Sequence, residues 1–562
     1  MQHPLRSLSN TPDSATGWDA VDREIEELAR QSRSLATDAE KSGEQADQLR
    51  GGRQAPPRAG DSDHDSSDET EEMHRQAEQY APRSEPAERT LKAGLLACAC
   101  CLSIGSHYAT YDLGPIKNSL GTSESGFAGF VSAIELANTV TPLVAGFLVA
   151  KLGAAVCGLV ATGLVLGGQI VVYFAQGLEG GAAGNLPLMV LGLLVFGAGT
   201  SPLAVVQEAI ILKHNASSSK FVARSIAAGL VLGKAGSFAG AWSSEPLYTI
   251  SPRLPFLVAS SLSLFSFSAS VLYALAERRA SSNRRIEHPV GKDDAHAHEH
   301  GRALRLSALA YFGSPFWWYM GVCALAGMWY TTEHLSSHLL QSVYSISEAE
   351  ASPAAALVLG APLLCYPLLG YFLDRHPDLL DKFWVAVPSL ISVTYFSYLL
   401  FGPVLPAFLA ITPAALGVGS GTLLLVLVVP RIVKPDQAAT ALGAHKSIEM
   451  AGAIIVQTLC GRLLSRRHDL GEDPTWAICL LLAVSLAQVG VVARWWSVIR
   501  TSARLAVAAT EEELGLLRAD GEVCHPPTSP EPEVAPPNGY RCLYAAGAVV
   551  VFSWLCFLSN LV

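Results

Sequence analysis

Charge is what this chain has least of. Only 16% of its 562 residues are Asp, Glu, Lys or Arg, where an ordinary globular domain carries about a quarter. The deficit argues against a soluble protein. Other absences narrow the field further. No phosphate-cradling loop of the G-x-x-x-x-G-K-[ST] type is present, so ATP-driven pumping has no support. No nucleophile–base–acid arrangement stands out, so an enzyme is not expected and no cofactor is implied. No basic stripe of the kind that binds nucleic acid occurs. The short alternating segments of an outer-membrane barrel are missing too. The polar N-terminal tail does not read as a secretory signal peptide. The 11 cysteines lie mostly in apolar stretches and make no disulfide framework. Cys98 and Cys101 formally make a C-x-x-C, but within LLACACCLS they read as buried thiols, with palmitoylation near the membrane edge as the alternative.

Long apolar runs are what the chain has instead. Residues 91–500 contain twelve stretches of about 20 residues, and a thirteenth closes the chain at 540–560. About 20 apolar residues cross a hydrocarbon core of roughly 30 Å. Lipid offers no partner to an open backbone, so all thirteen should be helices. The formal charge of −10 is concentrated outside them: residues 1–90 hold 20 Asp/Glu and 11 Lys/Arg. That acidic tail, with DSDHDSSDETEE at Asp61–Glu72, cannot bury enough apolar surface to order itself. A short amphipathic helix around 20–35 is the one element it suggests.

Lys and Arg alternate along the chain in a way that sets orientation. Arg83, Arg89, Lys92, Lys151, Lys213, Lys220, Arg224, the basic residues of the 6–7 loop, Arg375, Lys382, Arg431 and Lys434 all fall on one side if the N-terminus is cytosolic. Arg462, Arg466 and Arg467 vote the other way and are outnumbered. The one N-x-S/T sequon, Asn215-Ala216-Ser217, then lies in the cytosol and stays unglycosylated.

The organisation that follows is a disordered cytosolic tail (1–90), a six-helix half (91–277), a cytosolic interdomain loop (278–313), a second six-helix half (314–500), a cytosolic linker (501–538) and a thirteenth transmembrane helix (539–562). An internal repeat supports the halves. GFLVAKLG begins at Gly146 and GYFLDRHP at Gly370, and Lys151 and Arg375 stand at the same 224-residue offset. Repeated halves are a mark of secondary transporters, whose substrate sits near the midplane between them.

GYFLDRHP resembles the G-x-x-x-D-R loop signature of the major facilitator superfamily, in its second-half copy. The first-half copy keeps Gly146, Lys151 and Gly153 but has Ala150 in place of the acid. The resemblance implies an all-α multi-pass membrane protein of two six-helix halves, here with an extra C-terminal helix. It also implies a conformational latch at Gly146, Lys151, Gly370, Asp374 and Arg375. Within the superfamily the chain resembles the lysosomal dipeptide-transporter branch, through GSHYATYDLGP in span 1, FGAGTSPLAVVQE in span 4 and TALGAHKSIEMAG in span 11. The branch's span-4 acid appears here as Ser201, its span-5 arginine as Lys234, and its span-11 amides as Lys446 and Glu449.

A charge at the bilayer centre costs about 2.5–3.5 kcal/mol on insertion scales, so each one needs a reason. In span 1, Tyr108 and Asp112 share a helical face, and Tyr111 precedes Asp112 in the branch-like pair before Pro115. Asp112 either caps a turn at the water boundary or holds a cation or proton facing the cavity. Glu135 lies about 15 Å into span 2 by the helical rise, as a structural ion pair or a binding group. Gln207 matches the branch and could hydrogen-bond substrate, whereas Glu208 reads as a surface partner of Lys213 or Arg224. Gly229, Gly233, Gly236 and Gly240 form a packing stripe in span 5. Off that stripe, Lys234 is a cation for an anionic group or a partner for Asp112 or Glu135. Glu333 and His334 in span 7 suggest a proton relay. His334 with His338, and His296, His298 and His300 in the 6–7 loop, raise a metal site as a lesser reading. Lys446 and Glu449 can neutralise each other or meet substrate.

The leading function is secondary transport of a small organic solute, dipeptide or amino-acid-like, proton-coupled or facilitative, by alternating access. The alternative is a non-transporting membrane receptor or scaffold. Partners are the solute, the lipid bilayer and, left open, an accessory subunit. EEELGLL, with Glu512 four residues before Leu516-Leu517, fits an acidic dileucine sorting motif. It favours a lysosomal or vacuolar membrane over the plasma membrane.

Overall fold

The computed structural model describes residues 85–113, 116, 137–176, 185–215, 221–287, 306–465, 474–520 and 538–561. Glu135, the acidic run, the histidines of the 6–7 loop, Arg466 and Arg467 lie outside the described residues.

Apolar sequence dictates helix throughout, and fifteen α-helices form among the described residues. They are α1 (Glu85–Cys101), α2 (Ile104–Tyr111), α3 (Thr141–Leu152), α4 (Ala154–Ala175), α5 (Leu186–Asn215), α6 (Val222–Ile250) and α7 (Leu254–Glu287) in the first half. The second half has α8 (Ser314–Ala326), α9 (Met328–Tyr344), α10 (Glu348–Arg375), α11 (Leu379–Leu400), α12 (Ala407–Ile432), α13 (Ala438–Ser465) and α14 (Thr475–Asp520), followed by α15 (Gly539–Leu561). Ten spans among the described helices are long and apolar enough to cross a membrane. This is an all-α multi-pass membrane protein. The first helix starts at Glu85 and α14 runs on to Asp520, while the apolar spans within them are Thr90–Tyr111 and Thr475–Ser502.

The first helix of each half is broken, which the hydropathy profile did not show. Span 1 divides at Leu102–Ser103, and span 7 divides at Gly327. The residues that open the second pieces, Ser103 and Gly327, stand 224 apart, the offset that separates Gly146 from Gly370. A break frees backbone groups that a membrane helix must re-satisfy. Ser266 of α7 does this in span 1: its hydroxyl donates to the Cys101 carbonyl at 3.1 Å and accepts from the Gly105 N–H at 3.1 Å.

The span-5 glycines pack as the stripe predicts. A Cβ on Gly240 would sit 2.4 Å from the Tyr108 carbonyl oxygen, and one on Gly236 would sit 2.9 Å from that of Ile104. α2 and α6 therefore meet backbone to backbone. Such close packing takes the place of the hydrophobic drive that lipid removes.

The halves touch at the end that carries Lys151, Arg224 and Arg375. There α3 packs on α13, and α6 packs on α10. Gly146 and Gly443 make the first contact, where a Cβ on Gly443 would lie 2.4 Å from the Pro142 carbonyl oxygen. α15 lies along α13 and the 3-10 turn Leu306–Tyr311. It also reaches the first half, where the Trp554 indole N–H donates to Thr139 Oγ1 at 2.8 Å.

Candidate functional site

A cavity of about 700 Å³ lies between the halves. The pieces that follow the two helix breaks supply much of its wall. Ser103, Ser106, His107, Thr110 and Tyr111 come from the α2 side, and Trp329, Tyr330, Glu333, His334 and Leu335 come from α9. The first half otherwise contributes hydroxyl and amide groups, including Thr200, Ser201 and Gln207, together with the charged Glu208 and Lys234. The second half adds an aromatic and apolar surface, with Trp329, Tyr330, Tyr366, Val418 and Met450, beside the charged Lys446 and Glu449.

Two ion pairs stand in this cavity. Lys234 Nζ on α6 lies 2.6 Å from Glu333 Oε1 on α9, and the Tyr111 hydroxyl donates to Glu333 Oε2 at 3.0 Å. Both contacts join one half to the other. The Lys234 and Glu333 side chains are only 13% and 5% exposed, so the pair is largely removed from water. The second pair lies within α13, where Lys446 Nζ is 2.8 Å from Glu449 Oε2 and donates to the Tyr330 hydroxyl at 2.7 Å. His445 Nε2 approaches the same Glu449 oxygen at 3.8 Å.

Of the predicted substrate residues, Tyr111, Gln207, Lys234, Glu333, His334, Lys446 and Glu449 line the cavity. Tyr108 and Asp112 do not. Tyr108 turns toward α6, where its hydroxyl bonds Ser243 Oγ at 2.8 Å. Asp112 ends α2, fully buried, with its Oδ2 unpartnered. The cavity-lining Ser103, Ser106, His107, Thr110 and Tyr111 fill one arc of the helix, Tyr108 and Asp112 lie past the Tyr111 edge of that arc, and the contact of Gly240 with the Tyr108 backbone fixes this rotation. Lys234 accordingly pairs with Glu333 and not with Asp112.

Glu208 is a correction of a different kind. It is not a surface partner of Lys213 or Arg224. Lys213 pairs with Glu277, and Arg224 Nε pairs with Asp374 at 2.8 Å. Glu208 is instead buried and lines the cavity. Its seven-residue spacing from Ser201 puts both on one face of α5, and that spacing was the signal that could have found it. His107, within the GSHYATYDLGP stretch of span 1, also lines the cavity. Its Nδ1 bonds Ser237 Oγ at 3.0 Å.

Asp374 caps the neighbouring half. Its carboxylate accepts from the backbone N–H groups of Ala223 at 2.9 Å and Arg224 at 3.1 Å, at the start of α6. A carboxylate at a helix N-terminus meets both free donors and the positive end of the dipole. Gly370 allows the approach, since a Cβ there would lie 2.9 Å from the Ala227 methyl. Arg375 lies over the Tyr371 ring at 4.6 Å. The first-half counterpart has no such carboxylate. Lys151 is exposed, and the contact rests on Gly146 against α13.

Among the described residues no three His, Cys, Asp or Glu side chains come together as a metal site. The ten described cysteines are free thiols.

A model of the Major Facilitator Superfamily matches residues 93–457. The lysosomal dipeptide transporter MFSD1 of Danio rerio is 23% identical over 460 residues, covering 76% of this chain and 91% of that protein. Among solved structures, the proton:xylose symporter XylE bound to 6-bromo-6-deoxy-D-glucose aligns with a TM-score of 0.55 at 11% identity, covering 71% of this chain and 95% of that one. A bacterial homologue of the iron transporter ferroportin, in an outward-facing state, aligns with a TM-score of 0.54 at 13% identity, covering 72% and 99%. At these identities the structural likeness speaks to fold alone.

Proposed function

The chain belongs to the major facilitator superfamily, and from that premise we propose that it carries a small zwitterionic solute, dipeptide or amino-acid-like, across the membrane by alternating access. The observation that carries this reading is the Lys234–Glu333 pair, 2.6 Å long and shared between the halves inside the cavity. A zwitterion brings one carboxylate and one ammonium. Its carboxylate can replace Glu333 at Lys234, and its ammonium can replace Lys234 at Glu333. Every buried charge then keeps a partner throughout the exchange, which a neutral sugar would not achieve. The cavity volume suits a solute of this size.

Binding would also open the tie between the halves. With Lys234 and Glu333 engaged by solute, nothing in that pair opposes their separation. The latch at Asp374 and the Gly146–Gly443 contact close the opposite end. On the orientation set by Lys and Arg, that closed end faces the cytosol, and the cavity belongs to the other side. The similarity to MFSD1 and the EEELGLL segment both support a lysosomal or vacuolar membrane.

Uptake into proteoliposomes of a panel of dipeptides, single amino acids, organic acids and hexoses, with and without a pH gradient, tests the reading. Zwitterions should enter and hexoses should not. Entry of hexoses alone would reject the zwitterion assignment. A folded protein that moves nothing on the panel would favour a receptor or scaffold role.

A further inference from the structure

The two ion pairs leave one carboxylate over. Lys234 matches Glu333, and Lys446 matches Glu449, yet Glu208 also lines the cavity. It is more than nine-tenths buried, and no hydrogen bond or ion pair to it exists among the described residues. The charged Lys446 and Glu449 of the opposite half line the same cavity as Glu208. Glu449 is itself only half satisfied. Its Oε2 takes the Lys446 bond, while its Oε1 is buried without any partner.

We propose that Glu208 of α5 and Glu449 of α13 form a proton-binding site shared between the halves, so that the transporter carries a proton with its solute. The proposal rests on the transport reading and adds the coupling ion and its address. Charge balance requires one further positive charge beside Lys446. Size decides which. Glu449 Oε1 has no measurable surface for even a water molecule to touch, so a solute ammonium cannot reach it, and a proton can. Sodium would need several oxygen ligands about one shell, and the Lys446 ammonium already occupies the space beside Glu449 Oε2.

The surroundings fit a proton that is held in one state and released in another. Around Glu449 stand Lys446 and His445 on its own helix, Tyr330 on α9, Tyr319 and Cys323 on α8, and Glu208 on α5. Lys446 is the cation of this group, and it belongs to the second half. When the halves part at the Asp374 end, Glu208 leaves with α5 and Lys446 stays with α13. A buried carboxylate that loses its nearest cation is costly, and a proton removes that cost. Proton binding would thereby favour the open form at that end, and release would favour the closed form seen here. His445, with its Nδ1 unpartnered, is the neighbouring imidazole on which the proton would sit if the carboxylates did not take it.

The test is infrared difference spectroscopy of the purified full chain between acidic and neutral pH, with the proton itself as probe. Wild type should show the carbonyl stretch of a buried protonated carboxyl at acidic pH. Glu208→Gln and Glu449→Gln, each shown folded by its elution and thermal transition, should each lose part of that band. A band unchanged by both, or an imidazolium signal that only His445→Gln removes, would overturn the carboxylate site whatever the protein transports. The companion experiment uses alanyl-alanine, alanine and lactate in proteoliposomes. A substrate carried with one proton should accumulate up to about tenfold per unit of pH gradient, and Glu208→Gln should reduce this to equilibration. Accumulation that ignores the gradient would also overturn the proposal. Loss of the band in both variants, from a protein that moves none of the three, would keep the proton site and count against transport of these solutes.

Discussion

Lys234 and Glu333, 99 residues apart in the chain, meet at 2.6 Å across the centre of the molecule. One belongs to the fifth span of the first half and the other to the first span of the second. Their pairing makes the cavity polar at its middle and ties the halves together there.

Removing either partner leaves an uncompensated buried charge, a loss of about 3–5 kcal/mol for a buried pair. Lys234→Ala and Glu333→Ala should each lower zwitterion uptake at least tenfold and lower the thermal transition. Lys234→Glu with Glu333→Lys should recover the thermal transition better than either single exchange. A double exchange no more stable than the singles would show that the pair does not hold the halves.

Asp374→Asn keeps the shape of the cap at α6 but loses its charge-assisted bonds. Each such bond contributes about 1.5–3 kcal/mol, so the closed form should lose population by roughly ten- to a hundredfold. A cysteine placed by Ala227→Cys, opposite Gly370, reports this through its rate of maleimide labelling. Equal labelling rates with and without the Asp374→Asn change would mean that the carboxylate is not a latch.

Gly443→Val should block closure at the same end without disturbing either half. Its Cβ would meet the Pro142 carbonyl oxygen at 2.4 Å, a backbone atom that cannot step aside. Uptake should fall below a tenth of wild type while the protein remains monodisperse. Retained uptake would show that this contact opens and closes with room to spare.

Asp112→Asn supplies the contrast. The side chain is buried, ends α2 and does not line the cavity. Replacing a buried carboxylate whose Oδ2 has no partner with an amide removes a buried charge at little cost in shape. The thermal transition should hold or rise, and zwitterion uptake should stay within twofold. A tenfold loss of uptake would return Asp112 to the transport path.

The all-helical membrane fold, the repeat at 224 residues and the glycine stripe were legible in the sequence, because each is a local property. Hydropathy over 20 residues reports a membrane span wherever that span packs. Glycines at i, i+4, i+7 and i+11 mark one helix face without naming the neighbour. The pairing of Lys446 with Glu449 was equally local, three residues apart on one helix. The breaks at Ser103 and Gly327 were not visible, since neither interrupts the hydrophobicity. They depend on groups such as Ser266, which stands 165 residues from the carbonyl it satisfies.

Local chemistry along the chain thus settles the set of helices and the short inventory of charges they carry into the membrane. Which charges meet depends on how those helices pack. Asp112 shares a span with cavity residues yet turns away, because close packing of α2 on the α6 glycines fixes its rotation. Glu208 looked like a surface group near Lys213, yet Lys213 is taken by Glu277 and Glu208 points inward. Periodicity gives a residue's angle on its own helix. Only the packing of helices from two halves says what that angle faces.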